Sequence, residues 1–391
     1  MRAPAGQMAR MDLDARFPAI SDLRARALSR VPRFVWEYLD SATGDESVPR
    51  RNRAALDAVR FYPSVLHGEV TPDLSAELFG HRHPLPFGAA PLGMSGLIWP
   101  GAEHMIARAA AAEGLPAGLS TVATRPPEEI GPLAAPHGWF QLYPPRDPEI
   151  RADMLKRARD SGFSVLVLTV DVPVPSRRER QTRSGLTIPP KLTPRLLAQM
   201  AARPRWSLAT ARAGLPRLRT LDPYVEGAGR GLPSTGHVGY MLRTSPDLDY
   251  LRWLRAHWDG PLVVKGVLRA EDAALCEAEG VDAVWVSNHA GRQFDAAPAT
   301  AEALPAIRAA TRLPLVFDGG VEGGLDILRA LALGADFAMV GRAVHYGLAA
   351  FGAEGAAHAV HVLRAQMTAD MCQLGCGRIA DLPRHVVTTE R

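Results

Sequence analysis

Residues 284–300 read VWVSNHAGRQFDAAPAT. An apolar strand runs directly into a polar turn that carries Asn288, His289, Arg292, Gln293 and Asp295. A proton-transfer group and a fixed cation therefore leave the end of one strand together, which is how a parallel barrel displays chemistry. Taken alone, His289 reads more readily as a satisfied loop histidine and Arg292 as a surface cation. The other strand ends along the chain decide between these readings.

Outward from this stretch, apolar runs of strand length recur at 85–90, 117–120, 139–142, 165–170, 261–265, 283–287, 314–317 and 337–340. Amphipathic stretches at 104–113, 149–161, 271–279, 301–311 and 325–333 alternate with them, each with one apolar face to bury. Near-continuous apolar strands alternating with helices predict an α/β fold, a closed parallel (β/α)8 TIM barrel. Two regions fall outside the rhythm. Residues 1–60 read as a helical extension, with a helix over 32–40, ahead of a barrel domain over 61–391. Residues 189–240 form an insertion after the fourth strand, far longer than a barrel loop needs.

That insertion holds no acidic residue before Asp222, yet it carries Arg195, Arg203, Arg205, Arg212, Arg217 and Arg219 around an apolar segment with Trp206. A basic amphipathic excursion suits peripheral contact with an anionic membrane through 195–219. A mobile active-site lid with solvated arginines is the other reading, and the two are compatible.

Composition bounds the rest. With 47% hydrophobic and 22% charged residues the chain is an ordinary globular protein, and a net charge of +4 favours an anionic ligand without arguing for nucleic acid. Cys276, Cys372 and Cys376 are too few and scattered for a disulfide framework; the last two lie on an expected C-terminal helix without further metal ligands. Reduced thiols, the absence of a signal peptide and of any run near the roughly 18 apolar residues of a membrane span predict a cytoplasmic protein, with peripheral contact to the inner membrane face left open.

Chemistry gathers at the strand ends. Tyr143 follows WFQLY, Asp171 follows LTV, Arg178 lies shortly beyond it, and Lys265 ends PLVVK. Arginine forks with tyrosine make a carboxylate clamp, a histidine with an aspartate makes a base, and a lysine supplies charge where an anion accumulates. Each has a bland reading: Asp171 can cap a loop, Lys265 can sit in the barrel interior, and Tyr143 can pack. Six structural coincidences at successive strand ends are the less economical account. The last two strands end in DGG (318–320) and GR (341–342), where barrels commonly hold a phosphate on backbone N–H groups. A phosphate-bearing cofactor such as FMN follows. No GxGxxG after a first strand, GxxxxGK[ST] run or metal-ligand set is present.

The motifs EYLDSATGDE, AAPLGMSG, GLSTVAT, WFQLY, LTVDVPVPSRRERQTRSG, VVKGV, SNHAGRQFD, FDGGVEGGLDILRALALGA and GRAVHYGLAA run from about residue 34 to 375. Together they resemble the FMN-dependent (S)-2-hydroxy acid dehydrogenases and oxidases, a family that includes mandelate dehydrogenase, flavin L-lactate dehydrogenase and glycolate oxidase. The resemblance implies that His289 is the base and Asp171 its carboxylate partner. Arg178 and Arg292 would clamp the substrate carboxylate with help from Tyr38. Tyr143 would bond the substrate hydroxyl, and Lys265 would sit beside the cofactor. For FMN, the matching positions are Ala90, Pro91, Gly93, Ser120, Gln141, Thr169, Lys265, Ser287, Asp318, Gly320, Gly341 and Arg342.

The chain departs from the family pattern at Ala290, where a glycine is usual, and at Glu322, where an arginine is usual. The second loses a phosphate contact and brings a carboxylate near a dianion. Gly93 resembles the glycine of dehydrogenases rather than the alanine of oxidases, implying transfer of electrons to a quinone or other carrier. Val122 stands where glycolate oxidase has a bulkier aromatic, and ARPRWSLATARAGLP resembles the mandelate and lactate dehydrogenases. The resemblance therefore implies oxidation of a mandelate-like or lactate (S)-2-hydroxy acid by a homotetramer. A peroxide-forming oxidase, an enzyme for another hydroxy substrate and a degenerate FMN-binding regulatory module are the alternatives.

Overall fold

The structure, a computed structural model, describes residues 12–186, 193–225 and 243–387. An antiparallel hairpin of β1 (Ala76–Leu78) and β2 (His81–His83) precedes eight parallel strands. These are β3 (Phe87–Ala89), β4 (Ala117–Ser120), β5 (Gly138–Leu142), β6 (Val165–Thr169), β7 (Leu262–Val267), β8 (Ala283–Val286), β9 (Leu315–Phe317) and β10 (Phe337–Val340). They close into a barrel in chain order, β10 pairing with β3, as a (β/α)8 fold requires.

The strands look uniformly apolar because both faces are buried, but their alternation still sorts two cores. Val165 and Val167, Val263, Ala283 and Trp285, and Val316 pack together inside the barrel. Leu166 and Leu168, Val264, Val284 and Val286, and Phe317 pack outward against the helices. Two residues further along each inward row the character changes: Trp139 leads to Gln141, Val167 to Thr169, Val263 to Lys265, Trp285 to Ser287 and Val316 to Asp318. The barrel is filled with apolar side chains below and lined with polar ones at its carboxyl end, where the site lies.

The hairpin, which the sequence pattern does not announce, sits at the opposite end of the barrel. Leu78 joins the interior cluster and Phe79 packs beside it, its ring centroid 5.8 Å from that of Trp139. The long insertion contributes helices Pro194–Ala201, Pro204–Ala213 and Asp222–Val225. Trp206 is buried there and its Nε1 donates to the carbonyls of Leu97 (3.2 Å) and Ile98 (3.0 Å), pinning the insertion to the short helix Ser95–Ile98 that follows β3. Part of the expected lid, 189–192 and 226–240, lies outside the described residues. One expectation is corrected: the C-terminal helix is Ala353–Leu374, so Cys372 lies on it but Cys376 lies beyond its end, after Gly375 turns the chain left-handed at φ 67°. All three thiols are free.

Candidate active site

A cavity open to solvent occupies the carboxyl end of the barrel. Tyr38, Tyr143, Arg178, Lys265, His289 and Arg292 all line it. So do Ala90, Pro91, Gly93, Gln141, Thr169, Asp318, Gly320, Gly341 and Arg342. Ser120 and Ser287, expected with them, stand one layer behind. Ser120 donates to Gln141 Oε1 at 2.7 Å, while Gln141 Nε2 donates to Thr169 Oγ1 at 2.8 Å, so the amide is oriented from both ends. Ser287 Oγ accepts from Lys265 Nζ (2.7 Å) and donates to Asp318 Oδ1 (2.7 Å).

His289 Nδ1 lies 3.1 Å from both carboxylate oxygens of Asp171. An Nδ1–H donated to that carboxylate leaves Nε2 as the acceptor, which is the tautomer a base needs. Desolvation is the main influence that holds His289 below the usual imidazole range; Asp171 pulls it upward, and Lys265 and Arg178 add to the lowering. Burial would raise Asp171, yet His289 and Lys265 together hold it below the ordinary carboxylate range. At neutral pH the pair is thus an imidazole beside a carboxylate. The close approach depends on Gly266, at φ +110°, where a Cβ would come within 2.6 Å of Asp171 Cβ.

The guanidinium groups are held by backbone carbonyls. Arg292 donates from one nitrogen to the carbonyls of Tyr38 (2.8 Å) and Ser41 (2.9 Å), which end the helix Arg33–Asp40. Ser176 Oγ donates to the Arg292 carbonyl at 2.6 Å and accepts from Arg178 Nε at 3.1 Å, tying the two arginines into one unit. Burial, followed by repulsion from Arg178 and Arg342, pushes Arg292 down to about 9. It is still a cation at neutral pH, and a carboxylate bound between it and Arg178 would relieve that repulsion. Tyr38 donates its hydroxyl to the Gly93 carbonyl at 2.7 Å.

The other end suits a phosphate-bearing group. Gly319 (φ +106°) cannot take a side chain, since a Cβ would lie 2.6 Å from Thr300 Oγ1, so backbone faces the cavity there. Gly341 precedes the ten-residue helix Arg342–Phe351 without a side-chain cap, leaving its first N–H groups for an anion. The buried Lys265, 3.2 Å from Asp318, supplies a cation at the cavity floor. Arg342 now donates to the carbonyls of Ser41 (3.3 Å) and Ala290 (3.2 Å). Glu322 also lines the cavity, and no hydrogen bond or ion pair holds its carboxylate among the described residues. These residues fit a flat, phosphate-bearing cofactor; the Asp318 carboxylate is offset by Lys265, and Glu322 is an opposing charge that no cation offsets among the described residues.

The turn after β8 is strained. His289 (φ 54°), Ala290 (φ 51°) and Gly291 (φ 77°) are consecutive left-handed residues, and only the third is a glycine. Replacing Ala290 with glycine removes a Cβ from that region, and we expect a net stabilisation of about 1 kcal/mol in denaturant unfolding of the protein.

Sequence reasoning placed most of the lining but missed Arg243, Leu218 and Gln181. Asp295, read as part of the polar crowd, is structural: it accepts from the backbone N–H groups of Asp45 (3.0 Å) and Val48 (3.1 Å) and fixes the loop ahead of helix Ser47–Ala58.

Residues 27–389 match the family model of FMN-dependent dehydrogenases. The chain is 38% identical over 381 residues to an L-lactate dehydrogenase of Ectopseudomonas mendocina (strain ymp), covering 95% of this chain and 99% of that one. It is 39% identical over 380 residues to an L-lactate dehydrogenase of Xanthomonas axonopodis pv. citri (strain 306), covering 95% and 97%. Among solved structures it is similar to a monotopic membrane protein, (S)-mandelate dehydrogenase, at a TM-score of 0.89 and 35% identity, covering 95% and 99%.

Proposed function

Because the chain belongs to the FMN-dependent dehydrogenase family and oxidises a 2-hydroxy acid with FMN, we propose that His289 is the base of that reaction and that Arg178 and Arg292 hold the substrate carboxylate. FMN, when bound, supplies the acceptor for the two electrons that leave the substrate's CH–OH group. The His289–Asp171 pair carries the proposal, an imidazole kept neutral yet partnered by a carboxylate. His289 takes the proton released as the alcohol becomes a ketone, and Asp171 stabilises the imidazolium. Tyr143 bonds the substrate hydroxyl, Tyr38 supports the carboxylate end, and Lys265 offsets negative charge at the cofactor.

We favour a lactate or mandelate-like (S)-acid and a quinone or other carrier as acceptor. Gly93 supports the acceptor through its resemblance to the glycine of dehydrogenases, and the packing keeps it a glycine, since a Cβ there would come within 2.6 Å of Val122 Cγ2. Anaerobic mixing with (S)-lactate and (S)-mandelate, followed through the visible flavin band, tests the reading. Bleaching by either supports it, and a persistent oxidised spectrum with every 2-hydroxy acid overturns it.

The cofactor reading gives a second expectation. With Glu322 facing the phosphate end, Glu322→Gln should tighten FMN about five- to tenfold, the equivalent of roughly 1 kcal/mol of like-charge repulsion. Fluorescence titration of apoprotein with FMN measures it without reference to turnover.

The insertion serves as both cavity wall and docking surface in this reading. Leu218 is buried against the cavity, while Leu197, Leu208 and Leu215 are exposed among exposed arginines at 195, 205, 212, 217 and 219. That pairing of apolar and basic groups supports peripheral contact with an anionic membrane at the cytoplasmic face, in line with the monotopic (S)-mandelate dehydrogenase. No helix among the described residues is long and apolar enough to cross a membrane. A homotetramer is the assembly we propose from the family resemblance.

A further inference from the structure

We infer that Arg243 reads the side-chain end of the substrate, and that the cavity is built for 2-hydroxy acids bearing a second anionic group. The inference rests on the 2-hydroxy acid reading of this cavity and puts a dicarboxylate ahead of lactate and mandelate as its preferred substrate. Arg243 lines the same cavity as Tyr143, Arg178 and Arg292, with its guanidinium carbon 4.7 Å from the centroid of the Tyr143 ring. It is held there by backbone. An antiparallel bridge joins Arg243 to Pro145, and Thr244 N donates to the Pro144 carbonyl at 2.9 Å. The loop that carries Tyr143 therefore carries Arg243 with it.

Position decides which ligand this charge serves. Tyr143 follows β5, and in the closed strand order β5 stands four strands from β9 in either direction, across the barrel from Asp318–Gly320. Arg243 thus belongs to the substrate end of the cavity and not to the phosphate end. At that end Arg178 and Arg292, joined through Ser176, form one unit suited to a single carboxylate. A third guanidinium on the neighbouring wall provides a second anion site. Val122 and Leu218 supply apolar lining in the same cavity, suited to a short carbon chain. An aromatic side chain would gain a cation–π contact with Arg243, but a carboxylate gains charge-assisted, two-pronged hydrogen bonds and is the stronger match.

The test compares kcat/KM and anaerobic flavin bleaching for (S)-lactate, (S)-mandelate and the (S)-2-hydroxy dicarboxylates of four and five carbons. Wild type, Arg243→Met and Arg243→Lys are compared, with retained flavin absorbance reporting an intact fold. Wild type should favour a dicarboxylate over lactate by about tenfold or more. Arg243→Met should lose about 30-fold on the dicarboxylate, chiefly in KM, while changing lactate by less than about threefold, and Arg243→Lys should recover part of the loss. Equal losses on all substrates, or a wild-type preference for lactate, overturn the inference alone. A mandelate preference that Arg243→Met abolishes overturns it in favour of cation–π recognition. Bleaching by no acid would overturn the 2-hydroxy acid reading as well.

Discussion

Replacing His289 with glutamine should give a yellow protein that its substrate no longer bleaches. The His289 ring contributes one thing glutamine cannot, a nitrogen lone pair that becomes a stable N–H⁺ beside Asp171. Glutamine keeps hydrogen-bonding capacity and approximate volume, so the cavity and its FMN should survive. Loss of general-base catalysis alone is worth about 10²–10⁴-fold in rate. Rapid-mixing absorbance under anaerobic conditions reads the rate, and the flavin spectrum before mixing reads occupancy. A variant that bleaches at near the wild-type rate would remove His289 from the reaction.

The second large effect is expected for Asp171→Asn, and its pH dependence separates it from simple damage. In the wild type His289 titrates below the ordinary imidazole value, so kcat/KM should be flat near neutrality and fall as pH drops through that lowered value. Asp171 is an upward influence on His289. Without its charge the imidazole titrates lower still, and the acid limb moves to lower pH. The plateau nevertheless falls, by about 10² or more, because the imidazolium loses its counter-charge and an asparagine, both donor and acceptor, no longer fixes the tautomer. A lower plateau with an acid-shifted limb is the expected signature. A lower plateau with an unmoved limb would mean that Asp171 acts on something other than His289.

The fold was legible because a strand buried on both faces must be apolar throughout, and turns between strands and helices are polar. All eight barrel strands fall within a few residues of the apolar runs. The site was legible because side chains alternate along a strand: Gln141, Thr169, Lys265 and Asp318 stand where an inward apolar row turns polar at a carboxyl end. Recognition of motifs then supplied roles that periodicity could not.

Other features carry no local signal. Arg243 lies just past the insertion, where the sequence has no strand or helix period, and it reaches Tyr143 only because a bridge to Pro145 folds it back across about a hundred residues. Ser176 looks like any loop serine until it is seen between Arg178 and Arg292. Arg180 holds Glu37 (2.5 Å), Asp40 (3.0 Å) and Glu46 (2.8 Å), fastening the helix that carries Tyr38 to the segment that carries Arg178. Sequence alone determined which strand residues lie at the barrel mouth, because that follows from burial and a period of two along each strand. Tertiary structure alone decided which of them touch, because contacts between distant segments depend on chain closure and backbone pairing that no local period encodes.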